Sequence, residues 1–190
     1  MDKPGEQHCR ALHQLIGYVG STYAKLYLQK PSDLKVFGFV DSNFATNKDT
    51  RQSVTGYILT VGGSLILWMS KMQPSVTLSL CEAEYVALCT CATEVKFIQM
   101  LFEELLPKHN TRPKTLLEDN TGTIHLVENA TIGNRTKHID VRYYHIQEMY
   151  KEGRLQVKFV RSENNYADLM TKNVTEKFTK SWHQVLNKEK

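Results

Sequence analysis

Four carboxylates stand where predicted strands and helices begin or end: Asp41, Glu84, Asp119 and Asp168. Asp41 closes a β-rich run, Glu84 opens a long helical stretch, Asp119 follows a short apolar run, and Asp168 lies in the last turn-to-helix segment. Side chains at the ends of neighbouring strands emerge together at one edge of a sheet, and a helix packed across that edge adds another. Such groups cannot all ionise in one place without a counter-charge, because each raises the pKa of the others. Magnesium supplies that charge, prefers carboxylates and water, and commonly completes its octahedron with substrate phosphate. Two such ions about 3.5–4 Å apart would clamp the attacking and leaving oxygens of a phosphodiester. Each acid also has a plainer reading. Asp after a strand is usually a turn or cap residue, and Glu in a first helical turn complements the helix dipole.

The elements that must position these acids follow from periodicity. Residues 5–19 carry Ala11, Leu12, Leu15, Ile16 and Val19 at helical spacing, and Lys30-Pro31-Ser32-Asp33 separates them from the rest. Three strands come next, at 35–40, 54–60 and 64–69, the last two joined by Gly62-Gly63 as a hairpin. A long helix from about Glu82 to Leu106 presents Tyr85, Leu88, Ala92, Val95, Ile98 (or Phe97), Leu101 and Leu105, and Pro107 ends it. A buried strand at 115–117 leads to Glu118-Asp119, followed by helices at 122–128 and 139–151, and Gly153 stops the second. A strand at 155–160 and helices at 166–171 and 175–186 close the chain. An antiparallel meander followed by βα units implies an α/β fold: a mixed five-stranded sheet flanked by helices.

Hydrophobic residues at 41% and charged residues at 23% exclude wholesale disorder, collagen-like repeats and a disulfide scaffold. The net charge of +4 is unevenly placed: 135–190 holds 12 basic against 7 acidic residues, a basic third suited to a polyanionic partner. Cys9, Cys81, Cys89 and Cys91 have no zinc spacing and read as buried free thiols of a reducing compartment. The start, M-D-K-P-G-E-Q-H, has no apolar signal core, and no run approaches the ~18 apolar residues of a membrane span. The expectation is a soluble intracellular protein with no membrane partner.

The words around the acids carry a resemblance. Asp49 to Tyr57 spell D-x-R-x-S-x-x-G-Y, Trp68 to Gln73 spell W-x-S-K-x-Q, and Glu82 to Tyr85 spell E-A-E-Y. Asp119-Asn120, then R-T-K-H-I-D from Arg135 to Asp140, then A-D-x-x-T-K from Ala167 to Lys172 follow in order. From about 34 to 180 the chain resembles the ribonuclease H domain of copia-class retrotransposon Pol polyproteins. Residues 1–30 look like the end of the reverse transcriptase region that precedes it, with Cys9 where that segment usually has Trp. The implied organisation is that helical remnant, a ribonuclease H-like domain over 34–173, and a helix and tail over 174–190.

The resemblance implies hydrolysis of the RNA strand of RNA/DNA hybrids during reverse transcription. Its catalytic and metal-ligating set would be Asp41, Glu84, Asp119 and Asp168, holding two Mg2+ ions with Mn2+ as a substitute. Glu84 is preferred to Glu82 because it directly precedes the apolar helical face. An in-line attack by a metal-activated water needs no Ser or Cys nucleophile. A hybrid is recognised by its 2′-hydroxyls and groove shape. Ser42, Asn43 and Asn120 would then meet sugar hydroxyls, and Arg135, Lys137, His138 and Arg142 the phosphates. His145 reads equally as a packed or capping residue. Partners would be the hybrid and a reverse transcriptase region, in a cytoplasmic virus-like particle or the nucleus.

Two departures bear on activity. The link 161–167 has no His, unlike that of many cellular ribonucleases H. Ser79-Leu80-Cys81 stands where relatives have Ser-Ser-Thr, so a helix cap is expected to be lost at a cost of about 1 kcal/mol, loosening Glu84. Two rival readings stand beside the hydrolase. A DDE-type transferase would use Asp41, Asp119 and Glu152, but Glu152 abuts Gly153 at a helix end and starts no motif. A catalytically inert or repurposed fragment would bind nucleic acid or a protein partner without cleaving.

Overall fold

In the computed structural model of the chain, the residues described are 4–21, 28, 30, 31, 33–107, 114–129 and 137–173, with side chains from 144 onward in the last stretch. Five strands form one sheet: β1 (Val36–Asn43), β2 (Val54–Val61), β3 (Ser64–Met72), β4 (Lys114–Glu118) and β5 (Leu155–Phe159), in the spatial order β3-β2-β1-β4-β5. The first three pair antiparallel; β4 lies parallel to both β1 and β5. Gly62 and Gly63 join β2 to β3 with φ of +56° and +83°, the two positive values that a two-residue hairpin loop of this twist demands.

The helices are α1 (Glu6–Ser21), α2 (Leu80–Leu105), α3 (Thr121–Asn129), α4 (Lys137–Lys151) and the single turn α5 (Asp168–Thr171), the last preceded by a 3-10 turn at Ser162–Asn164. The crossover through α2 carries the chain from edge strand β3 across the sheet, so β4 lands beside β1. The core forms where α2 lies on the sheet. Tyr85, Leu88, Ala92, Val95 and Ile98 meet Val36, Val40, Tyr57, Leu59 and Leu116, with Ile146 and Met149 of α4 and Val127 of α3 closing the layer. Each large apolar side chain buried there contributes about 1.5–3 kcal/mol of transfer free energy.

The mixed five-stranded α/β architecture expected from the sequence is the one observed. Several details differ. Strand β1 runs on to Asn43, so Asp41 sits inside a strand paired on both sides of it, rather than at its end. Helix α2 begins at Leu80, and its cap is intact. Ser79 Oγ accepts the Glu82 N–H at 3.1 Å, and Glu82 Oε2 accepts the Leu78 N–H at 2.7 Å. The expected loss of a cap is corrected, because Ser79 itself takes the role one turn before the acid.

Farther along α2, Phe97, Leu101 and Leu105 are exposed, since the sheet ends before the helix does. By length and composition α2 could cross a membrane, yet more than half of its most apolar window is buried inside the protein. Cys89 and Cys91 are buried as expected, but Cys9 is exposed and Cys81 half-buried. Helix α1 buries none of its residues; its stripe of Leu12, Leu15, Ile16 and Val19 is open. The helix expected over 175–186 lies outside the described residues.

Candidate active site

Strand register sets the first pair of acids. Parallel pairing of β1 with β4 matches Phe39 to Leu117, and two residues further on this places Asp119 level with Asp41. The first turns of α2 cross the same edge and deliver Glu84 from above. Ligand oxygens of Asp41, Glu84 and Asp119 all lie within 4.8 Å of one another. Asp41 and Glu84 are 1% and 3% exposed, whereas Asp119 faces a half-open rim.

Burial and like charge dominate the electrostatics. The Glu84 carboxyl is pushed up to about 10, first by burial, then by Glu118, Asp41 and Asp119, with Lys172 pulling weakly the other way. Its Oε2 is buried with no hydrogen-bond partner. Glu118 is wholly buried and sits well above the usual carboxylate range for the same first reason, although Oε1 accepts the Asn120 N–H at 3.1 Å. In the sequence Glu118 reads only as the tail of a strand. The alternation that buries Lys114 and Leu116 on one side of β4 also buries Glu118.

The C-terminal segment approaches Asp41 from the other side. Asn165 Nδ2 donates to the Val40 carbonyl at 2.8 Å and Asn43 Nδ2 to the Thr171 carbonyl at 3.0 Å, latching the segment to β1. Gly56, opposite Asp41 in the β1–β2 register, makes room: a Cβ there would lie 2.5 Å from Thr171 Cγ2 and 2.7 Å from Met170 Cβ. Thr171 Oγ1 donates to Asp41 Oδ2. Lys172 Nζ lies 3.1 Å from Asp41 Oδ1 and 2.7 Å from Asp168 Oδ1. Asp168 is therefore not one of the three clustered acids; it reaches Asp41 through a lysine. Burial and Asp168 raise the Asp41 carboxyl, while Thr171 and Lys172 hold it down, and the net direction is up. Burial alone would lower Lys172, but its bonds to Asp168 and Asp41 raise it above the ordinary lysine value.

The chain has both sequence relatives and similar solved folds. The chain is 34% identical over 172 residues to the retrovirus-related Pol polyprotein from transposon TNT 1-94 of Nicotiana tabacum, covering 90% of this chain and 13% of that protein. It is 34% identical over 173 residues to the Pol polyprotein from transposon RE1 of Arabidopsis thaliana, covering 90% and 12%. Over 90% of its length the chain is homologous to Pol polyproteins of copia-type retrotransposons. It spans about an eighth of the length of those relatives. No family profile matches it. Among solved structures it is similar to LC11-RNase H1 isolated from compost, at a TM-score of 0.52 and 16% identity over 72% of this chain and 92% of that one. The same enzyme in complex with an RNA/DNA hybrid gives a TM-score of 0.51 at 15% identity over 72% and 94%. At that identity the likeness establishes the ribonuclease H fold.

Within this ribonuclease H fold, the remaining expected residues fall into two groups. Ser42 is buried on the opposite side of β1 from Asp41, and its hydroxyl has no hydrogen-bond partner. Asn43 and Asn120 are engaged inside the protein: Asn43 holds Thr171, and Asn120 Oδ1 accepts the Thr123 N–H that opens α3. Arg135 and the side chains of Lys137, His138 and Arg142 lie outside the described residues. His145 is half-buried, and burial followed by Lys96 lowers its pKa. Thr171 and Lys172 received no role from the sequence; the available signal was the i, i+4 spacing of Asp168 and Lys172.

The donor set fits a divalent cation. Oxygens within 4.8 Å of one another match the span across one ion with ligands at about 2.0–2.6 Å. The orphaned Glu84 Oε2 is a buried acceptor that such an ion would satisfy.

Proposed function

We propose that this domain is a metal-dependent ribonuclease H that hydrolyses the RNA strand of RNA/DNA hybrids for a copia-type element. The observation that carries the reading is the triad of buried Asp41 and Glu84 with half-buried Asp119, gathered within 4.8 Å at the sheet edge of a ribonuclease H fold. A similar fold binding an RNA/DNA hybrid supports the substrate class. Asp41, Glu84 and Asp119 would hold one Mg2+ ion, and Asp41 with Asp168 a second; Mn2+ would substitute. When bound, the ions would lower the pKa of the attacking water and stabilise charge on the leaving oxygen.

The chain's own residues do the rest. Asp41 is held within the paired backbone of β1, and Asp119 directly follows the last paired residue of β4, so both stand on the sheet. The capped start of α2 holds Glu84 at the same point. The Asn165 and Asn43 amides hold the segment that presents Asp168. Arg135, Lys137, His138 and Arg142 would bind backbone phosphate, and a reverse transcriptase region of the parent polyprotein would deliver the hybrid.

The test is incubation of the purified chain with a labelled hybrid and Mg2+ beside an Asp119→Asn control. Cleavage confined to the RNA strand by wild type and abolished in the variant is the expected outcome. A folded protein that binds hybrid but cleaves nothing in Mg2+ or Mn2+ would leave a nucleic-acid-binding remnant.

A further inference from the structure

We propose that the Lys172 ammonium is a resident cation of the acid cluster, which competes with a divalent ion for Asp41 and Asp168. The inference rests on the metal-dependent reading above and concerns how the second ion enters. Lys172 Nζ bridges Asp41 Oδ1 and Asp168 Oδ1 at 3.1 and 2.7 Å. An ion joining the same two oxygens at about 2.0–2.6 Å would have to take the space the ammonium fills. The two cations exclude one another.

The surroundings make the exclusion consequential. Asp41 has both oxygens engaged by one segment, Oδ2 by the Thr171 hydroxyl and Oδ1 by Lys172. On its other flank, Glu84 Oε2 is buried with nothing to bond. The Glu84 side of Asp41 therefore offers an unpartnered oxygen, while the Asp168 side already holds a protein charge. The lysine is also able to leave. Its side chain is 40% exposed, against 1% for Asp41, and its long stem can swing the charge into water. Its backbone is fixed independently, by the Lys172 N–H on the Asp168 carbonyl at 2.9 Å. Occupation is thus ordered: the first ion binds at Asp41, Glu84 and Asp119, and the second binds only by displacing Lys172. Between turnovers, the ammonium keeps Asp168 paired with Asp41 without metal.

The decisive comparison is wild type against Lys172→Met, which keeps the stem and removes the charge, with Lys172→Arg as the charge-keeping variant. Calorimetric titration of the full chain with Mn2+ should show two sites of unequal affinity in wild type. In Lys172→Met the weaker site should tighten by about fivefold or more, the size of an ordinary coupling between ligands, while the tighter site is unchanged. Melting in chelator should show Lys172→Met less stable than wild type by about 3 °C or more, a gap that closes or reverses with saturating Mn2+. Lys172→Arg should follow wild type in chelator. If Lys172→Met folds only after Mn2+ is added, the resident-cation role is upheld in its strongest form. Equal second-site affinity in wild type and Lys172→Met would overturn the proposal and leave the metal-dependent reading standing. If neither protein binds any divalent ion, both fail together.

Discussion

Asp41 divides its surroundings into two unlike halves. Toward α2 it meets Glu84 and Asp119, with Glu118 behind them, so like charges crowd on that side. Toward α5 it meets one acid and one lysine, with a hydroxyl on its second oxygen. The first half is tense without metal: burial and mutual repulsion keep Glu84 protonated well into the alkaline range. The second half already carries a counter-charge of its own. A single carboxylate therefore belongs to one region built to receive charge and another built to supply it. The contrast teaches that the four acids of the sequence motif are not equivalent.

The strongest way to break that comparison is to remove its shared member. Asp41→Asn should lower hybrid cleavage by on the order of 10²–10³-fold, the scale of losing one preorganised electrostatic group, with circular dichroism unchanged. Survival of near-normal activity would show that Asp41 joins nothing. Next comes pH on the α2 side. In the unfolded chain Glu84 gives up its proton near 4.5, whereas in the folded protein it keeps it to about 10, so the unfolded state binds fewer protons between those values. Stability without metal should therefore fall as pH rises from 5 to 9, read as a declining Tm in chelator. Mg2+ should flatten the slope, and Glu84→Gln should reduce it. A Tm that climbs across that window would contradict the charge-receiving half.

On the α5 side, Gly56→Ala should cost about 1–3 kcal/mol by driving a methyl group into Thr171 and Met170. Denaturant melts should register that loss while the pH slope of the other half persists, which would show that the halves are separable. The smallest effect expected is that of Ser79→Ala, about 1 kcal/mol from the α2 cap. A loss far above that value would mean that the cap also governs Glu84.

Legibility in the sequence followed the same division. The Gly62-Gly63 hairpin, the apolar face of α2 and the alternation in β5 are local patterns, so strands, core helix and α/β class could be read from periodicity. The motif words around Asp41, Glu84 and Asp119 lie in regular elements whose register then fixes where the side chains meet. Lys172 was not legible as a partner of Asp41, because the contact spans 131 residues and has no period. Glu118 was hidden for another reason. A carboxylate at a strand end reads as a polar terminus, and only the layer packed above it makes it buried. Exposure of the late turns of α2 likewise depends on where the sheet stops, which propensity does not encode.

The latch between the first strand and the C-terminal segment has a consequence in time. The Asn165 bond to Val40 spans 125 residues, and the Thr171 bond to Asp41 spans 130. At ordinary rates of synthesis, Asp41 leaves the peptidyl transferase centre roughly ten seconds before Lys172 does. At the end of that interval the nascent chain has all five strands and the long helix, yet its acid site lacks a wall. A ribosome that stops short of Asn165, through a nonsense or frameshift lesion, would release a sheet with three crowded carboxyls and no latch. Loss of the segment from Asn165 to Lys172 therefore removes one wall of the acid cluster, however intact the strands before it remain.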